Sequence, residues 1–416
     1  MRLWSCRTRS RWRPPTAAAA ALAVLAALHS VGTADAAFSR TTAPAASTFT
    51  AASNFAAGAL DVWGSGSSGQ AGGSSNVLAP VQIGAVTTWT QLAEGQDHVC
   101  GVRTDTTLWC WGSNASGQLG LGNTTNFTTP QQVAGAWSAV SAGLSHTCGI
   151  KTTGSLWCWG DNGNGQLGLG TSGTGTGKTS PNQVGTATTW TAITVGGYHS
   201  CGIQTVTGVT TLYCWGWNGN GQLGIGSTTD KSTPQPVTAP AGHWSSVAAG
   251  YDHNCGINDS GALYCWGRNV EGQIGIGNNT TPQSSPALVA VPASKAGKTW
   301  TSVAGSWTTC GILSDKSLFC WGWNANGEIG NNSTTDTNSP VQVSGNLTTW
   351  TSVAVGYQHT CGVQVGRSVW CWGDNADGQL GLGDTTQRTV PTKISGGFLA
   401  RPVPIGPTAY TTIAIN

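Results

Sequence analysis

Charge is scarce in this sequence: Asp, Glu, Lys and Arg make up only 8% of its 416 residues. Beyond the first thirteen residues no cluster of Lys or Arg occurs, so the electrostatic footprint of a nucleic-acid or anionic-lipid binder is missing. No apolar run long enough to span a bilayer follows the N-terminal segment, which excludes a membrane span. Nor is there a stretch with a sustained helical period, which excludes an α-solenoid. No Ser/His/Asp or Cys/His set assembles a nucleophile, and no cysteines recur at C-x₂₋₄-C spacing. The sequence therefore predicts no enzyme, no cofactor and no metal.

The N-terminus differs in composition from the rest. Arg2, Arg7, Arg9, Arg11 and Arg13 precede an apolar run, Ala17 to Ala27, and Ala34-Asp35-Ala36 offers a small-residue cleavage site. That layout predicts a secretory signal peptide over residues 1–36, with 37–48 as a short linker; an arginine-rich tail that stays attached is the alternative. Removing five arginines and Asp35 from 18 basic and 16 acidic residues leaves 13 and 15, a net charge of −2.

What the sequence has in abundance is a repeated phrase. G-x-x-H-x-C-G, a short turn, then L-x-C-W-G-x-N-x-x-G-Q-L-G-x-G runs from Gly95 to Gly122 and recurs with Cys-Trp-Gly at Cys158, Cys214, Cys265, Cys320 and Cys371. A weaker copy carries Trp63, Gly64, Gly69 and Gln70. The period is about fifty residues, the length of one supersecondary unit. Each unit reads as four short strands: a Trp-led opener, the Cys-Gly strand, the Leu-x-Cys-Trp-Gly strand and a Pro-containing strand. Four such strands make one antiparallel blade of a β-propeller. The opener occurs only six times (Trp89, Trp137, Trp190, Trp244, Trp300 and Trp350), and Tyr410–Asn416 is expected to supply the seventh. The predicted fold is all-β: one domain over 49–416, a seven-bladed propeller of four-stranded antiparallel blades, closed by the C-terminal strand pairing with the N-terminal blade.

Twelve cysteines fall into six local pairs: Cys100/Cys110, Cys148/Cys158, Cys201/Cys214, Cys255/Cys265, Cys310/Cys320 and Cys361/Cys371. The weak first copy has Ala52 and Val62 at both corresponding places, so the partners are absent together. Each pair flanks a turn and is expected to face across a hairpin as a disulfide, worth roughly 2–3 kcal/mol in the chain-entropy model. Bridges of this kind belong outside the reducing cytosol.

The phrase G-x-x-H followed by W-G-x-N-x-x-G-Q-L-G-x-G resembles the repeats of the regulator of chromosome condensation family over about residues 50–416. Gly250-Tyr-Asp-His253 with Trp266-Gly-Arg-Asn269-Val-Glu-Gly272-Gln273 is a full example. The resemblance implies a seven-bladed propeller closed by strands from both termini. It also implies either the guanine-nucleotide exchange of the founding member or a protein-binding disc of the kind its secreted bacterial relatives form.

The recurring His98, His146, His199, His253 and His359 read as structural, each bonded to neighbouring backbone, since one monomer has no use for five catalytic bases. The Asn after Trp-Gly reads as a turn former, and Asp161 and Asp374 only faintly resemble calcium loops. What varies is the pair of residues between Gly and His. Asp97, Tyr198, Tyr251, Asp252, Trp307 and Tyr357 are therefore the candidate partner-binding residues, with Trp217 and Trp323 as further aromatics for the same face. Aromatic side chains on rigid turns offer contact area at little entropic cost; the competing reading is that they pad the central channel or the inter-blade seams. The function expected is that of a secreted or cell-envelope, monomeric, non-catalytic scaffold that binds a protein, or a glycan, through one face. A structural or adhesive envelope protein and an exchange-factor-like regulator are the alternatives.

Overall fold

The computed structural model describes residues 58–238, 243–395 and 405–416. The expected signal peptide, the linker and Ala52 lie outside these residues. The strands form seven antiparallel sheets. Blades 2 to 7 are four-stranded and begin at Trp89, Trp137, Trp190, Trp244, Trp300 and Trp350. Within each, chain order is spatial order, from a buried opener to an exposed outer strand. The outer strands carry Pro80, Pro130, Pro181, Pro234, Pro286, Pro340 and Pro391. A residue without an N–H is tolerated there because one side of an edge strand makes no ladder.

Blade 1 closes the ring as anticipated, by a strand from the C-terminus. Thr411–Ile415 pairs antiparallel with Leu60–Gly64, whose other neighbour is Val77–Gln82. The detail differs from the sequence expectation in two ways. The C-terminal strand occupies the second position of the blade, the place of the Cys-Gly strand, and not that of the opener; this sheet has three strands among the described residues. Ile413, not Ala52, stands opposite Val62, where the other blades set one cysteine against another. Thr412 takes the place that Thr147 holds in its own blade, donating its hydroxyl to the Gln379 carbonyl at 2.8 Å as Thr147 does to that of Gln118.

The six disulfides join the pairs expected, each with its Cα atoms 4.1 Å apart. They lie directly opposite across the second and third strands, as Cys148 does to Cys158. The glycine after the first cysteine makes room for the opener: a Cβ on Gly149 would approach the Trp137 ring to 2.9 Å. Trp137 in turn meets Trp159 edge-on, with ring centroids 5.5 Å apart.

The hydrophobic core lies in the seams between blades. One cluster joins Cys100, Leu108, Cys110 and Val133 of blade 2 to Trp137, Val140 and Trp159 of blade 3, and equivalent clusters fill the other seams. Val62 and Ile413 are fully buried in the seam of blade 1. Because they occupy the cysteine positions, the double substitution Val62→Cys with Ile413→Cys is expected to form a seventh bridge. It would tie the two ends of the ring and raise stability by up to about 5 kcal/mol. Non-reducing peptide mapping and denaturant titration check this; a free thiol pair in the folded variant would refute the equivalence.

A ring of turns as the candidate functional site

The seams dictate where the turns go. In each blade the carbonyl of the glutamine in W-G-x-N-x-x-G-Q accepts the indole N–H of the next blade's tryptophan. Gln118 takes Trp159, Gln166 takes Trp215 and Gln222 takes Trp266, all at 2.9 Å. The series continues through Gln273 with Trp321 and Glu328 with Trp372, and closes through Gln379 with Trp63 and Gln70 with Trp111. Five of these carbonyls take a second bond from a hydroxyl of the next blade, as Gln118 does from Thr147 at 2.8 Å; the Gln222 carbonyl takes it from the Asn254 amide.

The repeated histidines complete this lock. His98 meets the Thr147 hydroxyl at 2.8 Å through Nε2, and His146, His253 and His359 meet Ser200, Thr309 and Thr412 in the same way. The hydroxyl has already given its proton to the glutamine carbonyl, so Nε2 must carry the hydrogen and donate it. His199 obeys the same rule toward the Asn254 amide oxygen. The histidines are thus structural, but their partner is a side chain of the next blade and not the neighbouring backbone, because that side chain faces Nε2 across the seam. All five are buried. Burial pulls His98, His253 and His359 down to about 3, with His199 adding to the effect on His253.

Each Trp-Gly glycine has a positive φ, +105° at Gly216, which turns the chain back onto the G-x-x-H turn. The N–H of the following residue then donates to the carbonyl of the second turn residue. Trp217 bonds to Tyr198 and Arg268 to Asp252 at 3.0 Å, Trp323 to Trp307 at 3.2 Å, and Ser65 to Tyr410 likewise. Neighbouring turns also bond to one another, Tyr251 N–H to the Ser306 carbonyl and Tyr357 N–H to the Ala409 carbonyl. One face of the propeller is therefore a rigid ring of variable letters.

On that ring the aromatics gather into one arc. Tyr198 meets Trp217 and Tyr251 at 6.2 and 6.3 Å between centroids. Tyr251 stacks on Trp307 at 5.1 Å and touches Tyr357 at 5.8 Å. Trp323 adds to Trp307 at 5.3 Å, and Tyr410 to Tyr357 at 4.9 Å. Arg268 lies over the Trp307 ring at 4.8 Å and pairs with Glu271 at 2.8 Å. These side chains are half-buried.

Four of the predicted residues, Tyr198, Tyr251, Trp307 and Tyr357, thus come together. Trp217 and Trp323 join them as integral members. Asp252 is only 7% exposed, and burial, eased slightly by Arg268, pushes its carboxyl up to about 7. Asp97, in the turn of the blade next to Tyr410, stands at the end of the arc: it accepts from the Gln70 amide at 3.5 Å, and its charge helps to raise the Tyr410 hydroxyl after burial and Tyr357. Sequence reasoning missed Arg268 and Tyr410. Tyr410 was hidden by its assignment to an opener strand; aligning Tyr410-Thr-Thr-Ile with Tyr198-His-Ser-Cys would have found it. Asp161 and Asp374, the faint calcium ligands, accept from Gln166 and Gln379 at 2.7 Å.

The fold and this ring of turns define a propeller that presents one preorganised face. The chain belongs to the regulator of chromosome condensation (RCC1) repeat family, whose repeats match residues 105–150, 153–203, 211–257, 260–313, 315–363 and 368–402. It is 36% identical over 183 residues to the ultraviolet-B receptor UVR8 of Arabidopsis thaliana, covering 43% of this chain and 41% of that protein. It is 32% identical over 214 residues to the probable E3 ubiquitin-protein ligase HERC4 of Mus musculus, covering 50% of this chain and 20% of that protein. The matches thus span less than half the length of either relative. Prp20p of Saccharomyces cerevisiae superimposes with a TM-score of 0.73 at 19% identity, covering 87% of this chain and 92% of that one.

One blade departs from the glutamine rule. Glu328 stands where the other six carry glutamine, and burial raises its carboxyl from 4.5 to about 7. Such a group binds its proton more tightly in the fold, so its contribution is present below pH 4.5 and is lost as pH rises through 7. Glu328→Gln keeps the acceptor for the Asn326 N–H and removes that loss. The variant is expected to match the parent at pH 4.5 and exceed it by roughly 1–3 kcal/mol at pH 8, read from denaturant titrations at both values; a pH-independent difference would refute the assignment.

Proposed function

We propose that this chain is an exported, non-catalytic propeller that binds a protein partner through the ring of G-x-x-H and W-G-x-N turns. The observation that carries the reading is the aromatic arc. Rigid, half-exposed rings held by backbone bonds lose little entropy on binding and supply the anchors on which interfaces depend. Relatives supply a precedent, for Prp20p is described by its binding to Gsp1p and histones. The six disulfides favour an oxidising compartment and hence the exported reading over a nuclear exchange factor, which needs a cytosolic or nuclear GTPase.

Changing Tyr251, Trp307 and Tyr357 together to Ala is expected to abolish capture of the partner from the native extracellular fraction while the thermal midpoint stays within a few degrees. Unchanged capture by the folded variant would discard this face. The export half of the reading has its own check: mature chain starting near residue 37 should accumulate outside the cell.

A further inference from the structure

The turn ring has a second property besides its aromatics. Its G-x-x-H and W-G-x-N-x-x-G-Q turns carry Asp97, Asp161, Asp252, Glu271, Glu328, Asp374 and Asp377 against one cation, Arg268. Asp252 and Glu328 are buried; the other five are partly exposed, a large share in a protein with so few charges. Arg268 pairs only with Glu271, whose two oxygens it bonds, and lies over the Trp307 ring, which leaves the other six carboxyls without a paired cation among these turns. Burial raises the carboxyls of Asp252 and Asp336, and the charge of Glu271 adds a smaller push to each.

Beside the arc, Glu271 and Asp336 line a cavity of about 340 Å³ between blades 5 and 6, with Asn279, Thr337 and Asn338 around it. The Thr337 hydroxyl is buried there without a hydrogen-bond partner; outside the cavity, in the neighbouring G-x-x-H turn, Oδ1 of the buried Asp252 is unpartnered as well. Acceptors outnumber donors at this place, and the missing complement is a donor that carries positive charge.

Resting on the reading above, we propose that the partner presents a Lys- or Arg-bearing segment to this face. The cation enters the Glu271–Asp336 cavity while the flanking apolar atoms lie on Tyr251, Trp307 and Tyr357. Charge complementarity identifies the occupant, and a neutral or acidic segment would leave the carboxyls uncompensated.

The test uses the full chain and three synthetic twelve-residue peptides of equal length: one alternating Lys and Arg with Ala, one with Glu in the basic positions, one with Gln. Tryptophan fluorescence titration is expected to show binding of the basic peptide alone, weakening about tenfold on Glu271→Gln with Asp336→Asn and falling as salt rises from low to high concentration. Asn at 336 keeps the acceptor for the Asn324 N–H, so the fold is preserved. Neutralising Asp105 and Asp259, in turns between the second and third strands at the other end of the blades, should change nothing. Equal binding of the Gln peptide, a salt-independent affinity, or an equal loss from the Asp105 and Asp259 control would overturn the proposal. If the triple aromatic variant loses partner capture but the Glu271/Asp336 variant keeps it, the cationic occupant falls while the face stands. If neither variant affects capture, both readings fall.

Discussion

The ring of turns depends on one acceptor repeated seven times, the main-chain carbonyl of the residue at the end of W-G-x-N-x-x-G-Q. It takes the indole N–H of the next blade in every seam. In six seams it takes a side-chain donor as well. Buried donors left unpaired cost about 1–3 kcal/mol each, so a blade that slipped against its neighbour would expose several such penalties together. The seam therefore has one register, and that register sets the spacing of the turns above it. Preorganisation of the face is a consequence of this lock.

The disulfides do different work. Each joins adjacent strands of one blade across ten or thirteen residues, so none ties one blade to another. They narrow the unfolded ensemble of each hairpin, while association between blades is left to apolar burial and to the indole–carbonyl bonds. Blade 1 shows that the two devices are separable. It has Val62 against Ile413 in place of a bridge, yet Trp63 and Thr412 both reach the Gln379 carbonyl. Ring closure needs the seam chemistry and can dispense with the staple.

The site shows how a uniform scaffold carries individual information. His, Trp, Gln and the glycines are buried or conformationally committed, and they change in few places, with Glu328 for the glutamine and Thr308 and Thr411 for the histidine. The letters between Gly and His, and the one after Trp-Gly, are placed by backbone bonds, so their side chains take no part in the lock between blades. Tyr251, Trp307, Arg268 and Tyr357 occupy these free letters, and their clustering on one arc gives the ring a direction that its repeat symmetry lacks.

Blade number, the disulfide pairs, the strand character of each repeat and the identity of most variable turn residues were legible in the sequence, because each depends on a local pattern that returns every fifty residues. The role of the histidines was half legible: structural, but with a partner that lies one blade away. The position of Thr411–Ile415 was only faintly legible, in the match of Tyr410-Thr-Thr-Ile to Tyr198-His-Ser-Cys, because its partner strand Leu60–Gly64 and the Gln379 carbonyl that its Thr412 reaches both lie far away in the chain. Nor could the sequence say that Arg268 sits on Trp307 or that Tyr251 stacks on that same ring. Those relations join residues of different repeats, and only the closed ring brings them within reach of one another. Periodicity is written along the chain, whereas adjacency around the axis exists only after the ends have met.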